Sequence, residues 1–174
     1  VSMNGNWIRV RPDELARARA DHDWAYEFAQ AAADAEDVRH AGTGKAWQAL
    51  QFLLERRGVT VPLVTGGELL VALPDAPPEG MDWAEFLEPY DWGYGPPAYL
   101  TPEQVAEAAT ALAGITEEDL LRGVDPAELT AADIYPLIWD RDGELDWVAH
   151  HLPYARDYFA AAAKAGDAVI CWLD

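Results

Sequence analysis

The run Ala168-Val169-Ile170-Cys171-Trp172-Leu173 decides the fold. It is too uniformly apolar and β-branched for a strand with one wet face, so it reads as a central strand covered on both sides. Such a strand needs helices above and below it, and the chain upstream supplies them. A helix opens at Pro153 and closes at Gly166, and the segment Glu144 to His151 is helical after an Asp142-Gly143 turn. Further upstream, Asp125-Pro126-Ala127-Glu128 starts a helix, and Thr116 starts a short one that ends near Gly123. Thr101-Pro102-Glu103-Gln104 is a capping box with proline at the first helical position. The helix behind it turns Val105, Ala108, Ala109 and Leu112 inward and stops at Gly114.

The first third of the chain continues the pattern. Asn6 to Val10 reads as a short strand, and Pro12 with Asp13 and Glu14 opens an alanine-rich helical stretch to Val38. Gly42 and Gly44 break it. Lys45 to Arg57 is an amphipathic helix with Trp47, Leu50, Leu53 and Leu54 on one face and Lys45, Gln48, Gln51 and Glu55 on the other, ending at Gly58. Val59 to Leu73 is extended chain and turn, with Glu68 to Leu73 open to strand or helix. Pro74 to Gly80 and Asp91 to Tyr99 are irregular, and Pro136 kinks or starts a helical turn. The expectation is an α/β protein: a single compact, helix-rich layered domain over residues 1–174, with a small mixed sheet of three or four strands covered by helices.

The 174 residues, 51% hydrophobic and 25% charged, suit one packed domain that needs neither disulfide nor metal to fold. Twelve basic residues against 31 acidic ones leave a net charge of -19. That balance excludes nucleic acid and an anionic membrane surface as main partners, because both demand a basic footprint. No stretch matches a signal peptide or a membrane span, and the lone Cys171 has no disulfide mate, so a cytoplasmic location is expected.

Catalytic signatures are lacking. The four histidines, His22, His40, His150 and His151, include no His-x-x-x-His pair, and no Cys-x-x-Cys exists, so neither metal nor other cofactor is expected. Asp140 to Asp146 is superficially similar to a calcium loop, but its glycine comes too early. Gly66-Gly67 and Gly93-x-Gly95 lack the rest of a phosphate-binding fingerprint, and Ser2 is the only serine.

Charge distribution says more. From Gly58 to Leu121 there is no lysine or arginine, while 12 carboxylates stand there, interleaved with Trp83, Phe86, Tyr90, Trp92, Tyr94 and Tyr99. An acidic band studded with aromatics suits a cationic protein partner, since charge steers encounter and rings anchor it. The candidate contact residues are Asp82, Trp83, Glu85, Glu88, Asp91 and Trp92. The plainer alternative is that the carboxylates solvate the surface and the aromatics fill the core.

Gly93-Tyr94-Gly95-Pro96, Tyr99-Leu100-Thr101-Pro102-Glu103, Ile134-Tyr135-Pro136 with Ile138-Trp139-Asp140, and Lys45-Ala46-Trp47 are motifs in which the chain resembles the YfbM-like bacterial family, a domain of unknown function of the DUF1877 type. The resemblance extends over the whole chain and implies a small bacterial protein with a layered α/β fold and no assigned activity. Where that pattern often carries histidine, this chain has Gln48 and Gln51, and glutamine is neither a general base nor a good transition-metal ligand. Two functions are therefore expected. The first is a non-catalytic acidic protein that engages a basic partner, as an immunity or antitoxin-like protein does. The alternative is a small-molecule or enzymatic pocket built from Lys45, Trp47, Tyr94, Tyr135 and Trp139.

Overall fold

A computed structural model describes all residues, Val1–Asp174. Five strands, β1 (Gly5–Val10), β2 (His40–Gly44), β3 (Glu68–Leu69), β4 (Ala98–Leu100) and β5 (Ala168–Leu173), form one sheet in the order β2-β1-β5-β4-β3. The C-terminal run is the central strand, as its composition demands. It pairs with β1 from Gly5↔Leu173 to Val10↔Ala168 and with β4 from Ala98↔Cys171 to Leu100↔Val169. All four ladders are antiparallel, so the sheet is not mixed as expected.

Alternation along β5 divides the core. Ile170 and Trp172 face one layer with Ile8, Val10 and the alanines of α1 (Pro12–Ala20) and α2 (His22–Asp34). Val169 and Cys171 face the other, with Trp7, Leu100 and the apolar stripes of α3 (Trp47–Arg56), α5 (Pro102–Ala113) and α9 (His151–Ala165). The short helices α6 (Glu117–Leu121), α7 (Pro126–Ala131) and α8 (Glu144–Ala149) complete this thicker layer through Leu120, Leu129 and Val148. Between β3 and β4 lies α4 (Trp83–Leu87), which buries none of its residues.

The cap signals hold. Thr101 Oγ1 accepts from Gln104 N while Gln104 Oε1 accepts from Thr101 N, Thr116 and Asp119 form the same reciprocal pair, and Asp125 caps its helix by accepting from Ala127 N alone. Three expectations need correction. The Pro12 to Val38 stretch is two helices, because Asp21 stops the first and caps the second by accepting from Trp24 N. Gly42 and Gly44 belong to the edge strand β2, where a Cβ at Gly42 would stand 2.8 Å from Gly5 O, so glycine is what permits the close pairing. Gln51 is buried, donating to Glu55 and accepting from Val64 N, which satisfies both ends of its amide inside the fold.

Two predictions arise here. Burial pushes the Cys171 thiol well up from its ordinary range, so a thiol reagent at neutral pH should label it only after denaturant unfolds the chain. Rapid labelling of the native protein would contradict that burial. His40 lies against Trp172, with Nε2 3.2 Å from Asn6 Oδ1, and burial lowers its pKa against the opposing pull of Asp174. The unfolded chain therefore takes up this proton first as pH falls, and stability is lost downward from the ordinary histidine range. His151 shifts the same way, through burial and then His150. Melting temperature should drop between about pH 7.5 and about pH 5.5, less so in His40→Gln. An unchanged drop in that variant would remove His40 from the account.

Candidate functional site

The segment Asp82 to Pro96 is ordered from its own side chains. Asp82 caps α4 by accepting from Glu85 N, and Asp91 Oδ1 accepts from both Gly93 N and Gly95 N, tightening the loop that follows. Aromatic rings fasten the segment to α2. Trp83 meets Phe86, Phe86 meets Tyr90, and Tyr90 meets the edge of His22 at 5.0 Å. The Trp92 indole N–H donates to His22 Nε2 at 2.8 Å, and its ring packs on Trp172 and Tyr26.

This framework brings four candidate carboxylates together. Asp82, Glu85, Glu88 and Asp91 line one open depression of about 580 Å³, with Gly95 and Pro96 on its wall. None of the four has an ion-pair partner; Arg9 pairs with Asp167, Arg39 with Glu14, Arg56 with Glu128 and Arg122 with Asp119. Glu85 and Glu88 make no side-chain bond at all and point their charge to solvent. Trp83, on the same helix, is 39% exposed and packs on Phe86, and it does not line the depression. Trp92 is different: at 4% exposure it is a core residue that anchors the segment and offers no surface to a partner.

The wider acidic band is not one face. Glu107 lines a separate depression with Arg57, and Glu117 and Glu118 line another with Arg156, so those carboxylates share their surroundings with a cation from another segment. The Asp82 to Asp91 group lines its own depression with no lysine or arginine among the lining residues.

The second candidate set is split. Trp47 and Tyr135 stack at 6.4 Å between centroids, Tyr135 Oη accepts from Met3 N, and Tyr135 N donates to Gln48 Oε1. Lys45 is exposed just ahead of them. Trp139 is buried, its indole N–H spent on Ile134 O, and it lines a depression of about 260 Å³ beside Arg141 and Asp142. Tyr94 sits in the loop held by Asp91, with its N donating to Leu173 O. No cavity is closed by all five. Sequence reasoning passed over Thr43 and Gly5, which meet Trp47 at the same strand end. The available signal was a Thr-Gly-Lys run entering a helix that has no capping side chain.

No trio of histidine, cysteine or carboxylate side chains is arranged to hold a metal, and no helix is long and apolar enough to cross a membrane. Fold and site together define a layered α/β domain with an antiparallel five-stranded sheet and a recessed acidic patch. The domain of unknown function DUF1877 matches residues 1–172, and the chain belongs to that family. A similar solved structure is YfbM, a protein of unknown function from Escherichia coli, at 12% identity and a TM-score of 0.64, with 98% of this chain and 99% of that one covered. At that identity the likeness is one of fold alone. No curated protein matches the chain.

Proposed function

We propose that this chain is a non-catalytic binding protein whose Asp82 to Asp91 segment docks a basic protein, in the manner of an immunity or antitoxin-like partner. The observation that carries the reading is the convergence of four carboxylates without an ion-pair partner on one depression, in a segment that also exposes Trp83. A single exposed ion pair contributes only about 0–1 kcal/mol, so several must act together. Their shared field speeds encounter, and Trp83 supplies the apolar anchor that charge alone lacks.

Glu85 and Glu88 are the residues to change, since Asp82 and Asp91 also hold the local backbone. Immobilised wild-type protein and the Glu85→Gln/Glu88→Gln variant would be loaded with native lysate in parallel, at about 50 mM and about 0.5 M salt. A cationic protein should bind the wild type at low salt, elute at high salt, and bind the variant roughly tenfold more weakly. Retention of no cationic protein, or equal retention by the variant, would remove this reading.

A further inference from the structure

The Trp92 indole fixes the protonation state of a histidine. An indole N–H can only donate, so His22 Nε2, 2.8 Å from Trp92 Nε1, must offer its lone pair. The ring is therefore neutral, with its proton on Nδ1. Trp92 is 4% exposed, and His22 is the acceptor that its buried N–H finds. The imidazole itself is not sealed, since 18% of the side chain reaches solvent in a depression lined by Asp21, Asp23, Pro89 and Tyr90. Its Nδ1 stands 3.9 Å from Asp23 Oδ1, and Asp21, the cap of α2, is the other carboxylate there. The groups that face the ring are thus Asp21 and Asp23 from the start of α2, and Tyr90 and Trp92 from the segment packed against it. No lysine or arginine lines the depression.

A second proton on this ring replaces the lone pair of Nε2 with an N–H. Two donors would then face each other at 2.8 Å, and the buried indole would lose its acceptor. What His22 holds is the arm formed by residues 82–90. Neither α4 nor the 3₁₀ turn Glu88–Tyr90 buries any of its residues, and the chain of rings from Trp83 through Phe86 to Tyr90 reaches α2 at His22. Past Trp92 the fastening is different: Tyr94 N donates to Leu173 O, and Gly93 lies so close to Asp174 that a Cβ would stand 2.8 Å from its Cα. We propose that His22 is a pH-operated latch, whose protonation at Nε2 frees residues 82–90 from α2 while residues 91–96 stay on the sheet. The acidic depression is lined from both sides of this joint, by Asp82, Glu85 and Glu88 on the arm and by Asp91, Gly95 and Pro96 on the fixed loop, so release opens it. Loss of a docked partner on acidification rests on the docking reading above; the latch itself does not.

The test follows the ¹⁵N-labelled full chain by NMR, with no partner present, from about pH 8 to about pH 5, across the ordinary histidine range. At the upper end the His22 ring nitrogens should report the Nδ1–H tautomer. As His22 protonates, the Trp92 indole N–H, assigned with Trp92→Phe, should move with the same midpoint. Order parameters of residues 83–90 should fall from about 0.85 to below about 0.6, while those of residues 93–96 hold. His22→Gln keeps an acceptor in its amide oxygen but gains no proton, and it should abolish both changes. His40→Gln removes the other ring that titrates nearby, against Trp172, and should leave both intact. An Nε2–H tautomer at pH 8, a His22 that stays neutral throughout, a His22 that titrates while indole and arm stay still, or the same changes in His22→Gln would each overturn the proposal. The wild-type tautomer and midpoints decide even where the variant fails to fold. Because no partner enters the measurement, failure of the docking reading leaves this result standing.

Discussion

Phe159→Ala should lower stability by about 3–5 kcal/mol and the melting temperature by roughly 6–20 °C. Phe159 is 0% exposed on α9, and its ring meets Trp7 edge-on at 5.1 Å and Tyr158 at 5.7 Å. Truncation removes apolar area and leaves a hole between α9 and the sheet, which the surrounding backbone can only partly close. Trp7 cannot follow the receding wall, because its indole N–H is tied to Leu63 O at 2.9 Å. Against a net stability of about 5–15 kcal/mol, that loss brings the protein close to unfolding at growth temperature. Calorimetry of the purified variant measures it. A fall of less than about 1 kcal/mol would mean that α9 does not pack on the sheet as described.

Gly5→Ala is the second large effect and acts by excess rather than loss. The added methyl would overlap Thr43 Oγ1 and Trp47 Cβ, and neither has room to retreat. Thr43 is enclosed by the fold, and Trp47 is held by its own helix and by the stack on Tyr135. The expected cost is on the order of 2–3 kcal/mol, with part of it appearing as lost pairing where Gly5 faces Gly44 in β2. Gly114→Ala is the control, since the nearest atom to a new Cβ there lies 3.8 Å away. It should stay within about 0.5 kcal/mol of wild type. Equal stability of the two variants in a urea titration would show that β1 does not approach α3 this closely.

What the sequence reveals and what it hides follow from the range of the interactions. The central strand is legible because Ile170 and Cys171 face opposite layers and both need cover. The helix starts at Thr101, Thr116 and Asp125 are legible because each cap is made within three residues. β2 is not, because its glycines look like breakers until β1 is known to lie against them. Gln51 misleads because a polar residue in a helix reads as solvent-facing, while its partner Val64 N comes from 13 residues downstream.

The candidate site divides along the same line. The missing cations between Gly58 and Leu121 are visible in the chain itself. The grouping of Asp82, Glu85, Glu88 and Asp91 apart from the other carboxylates is not, since it depends on where Arg57 and Arg156 come to rest. Trp92 looks like a surface anchor until His22, 70 residues away, accepts its indole proton.

The most direct measurement for the acidic patch is chemical-shift mapping of the labelled protein with an octa-arginine peptide at low salt. Perturbations concentrated on residues 82–91 and on the Trp83 indole, and erased in Glu85→Gln/Glu88→Gln, are the predicted result. Weak shifts spread across carboxylates all around the molecule, with the Trp83 indole unmoved, would contradict it.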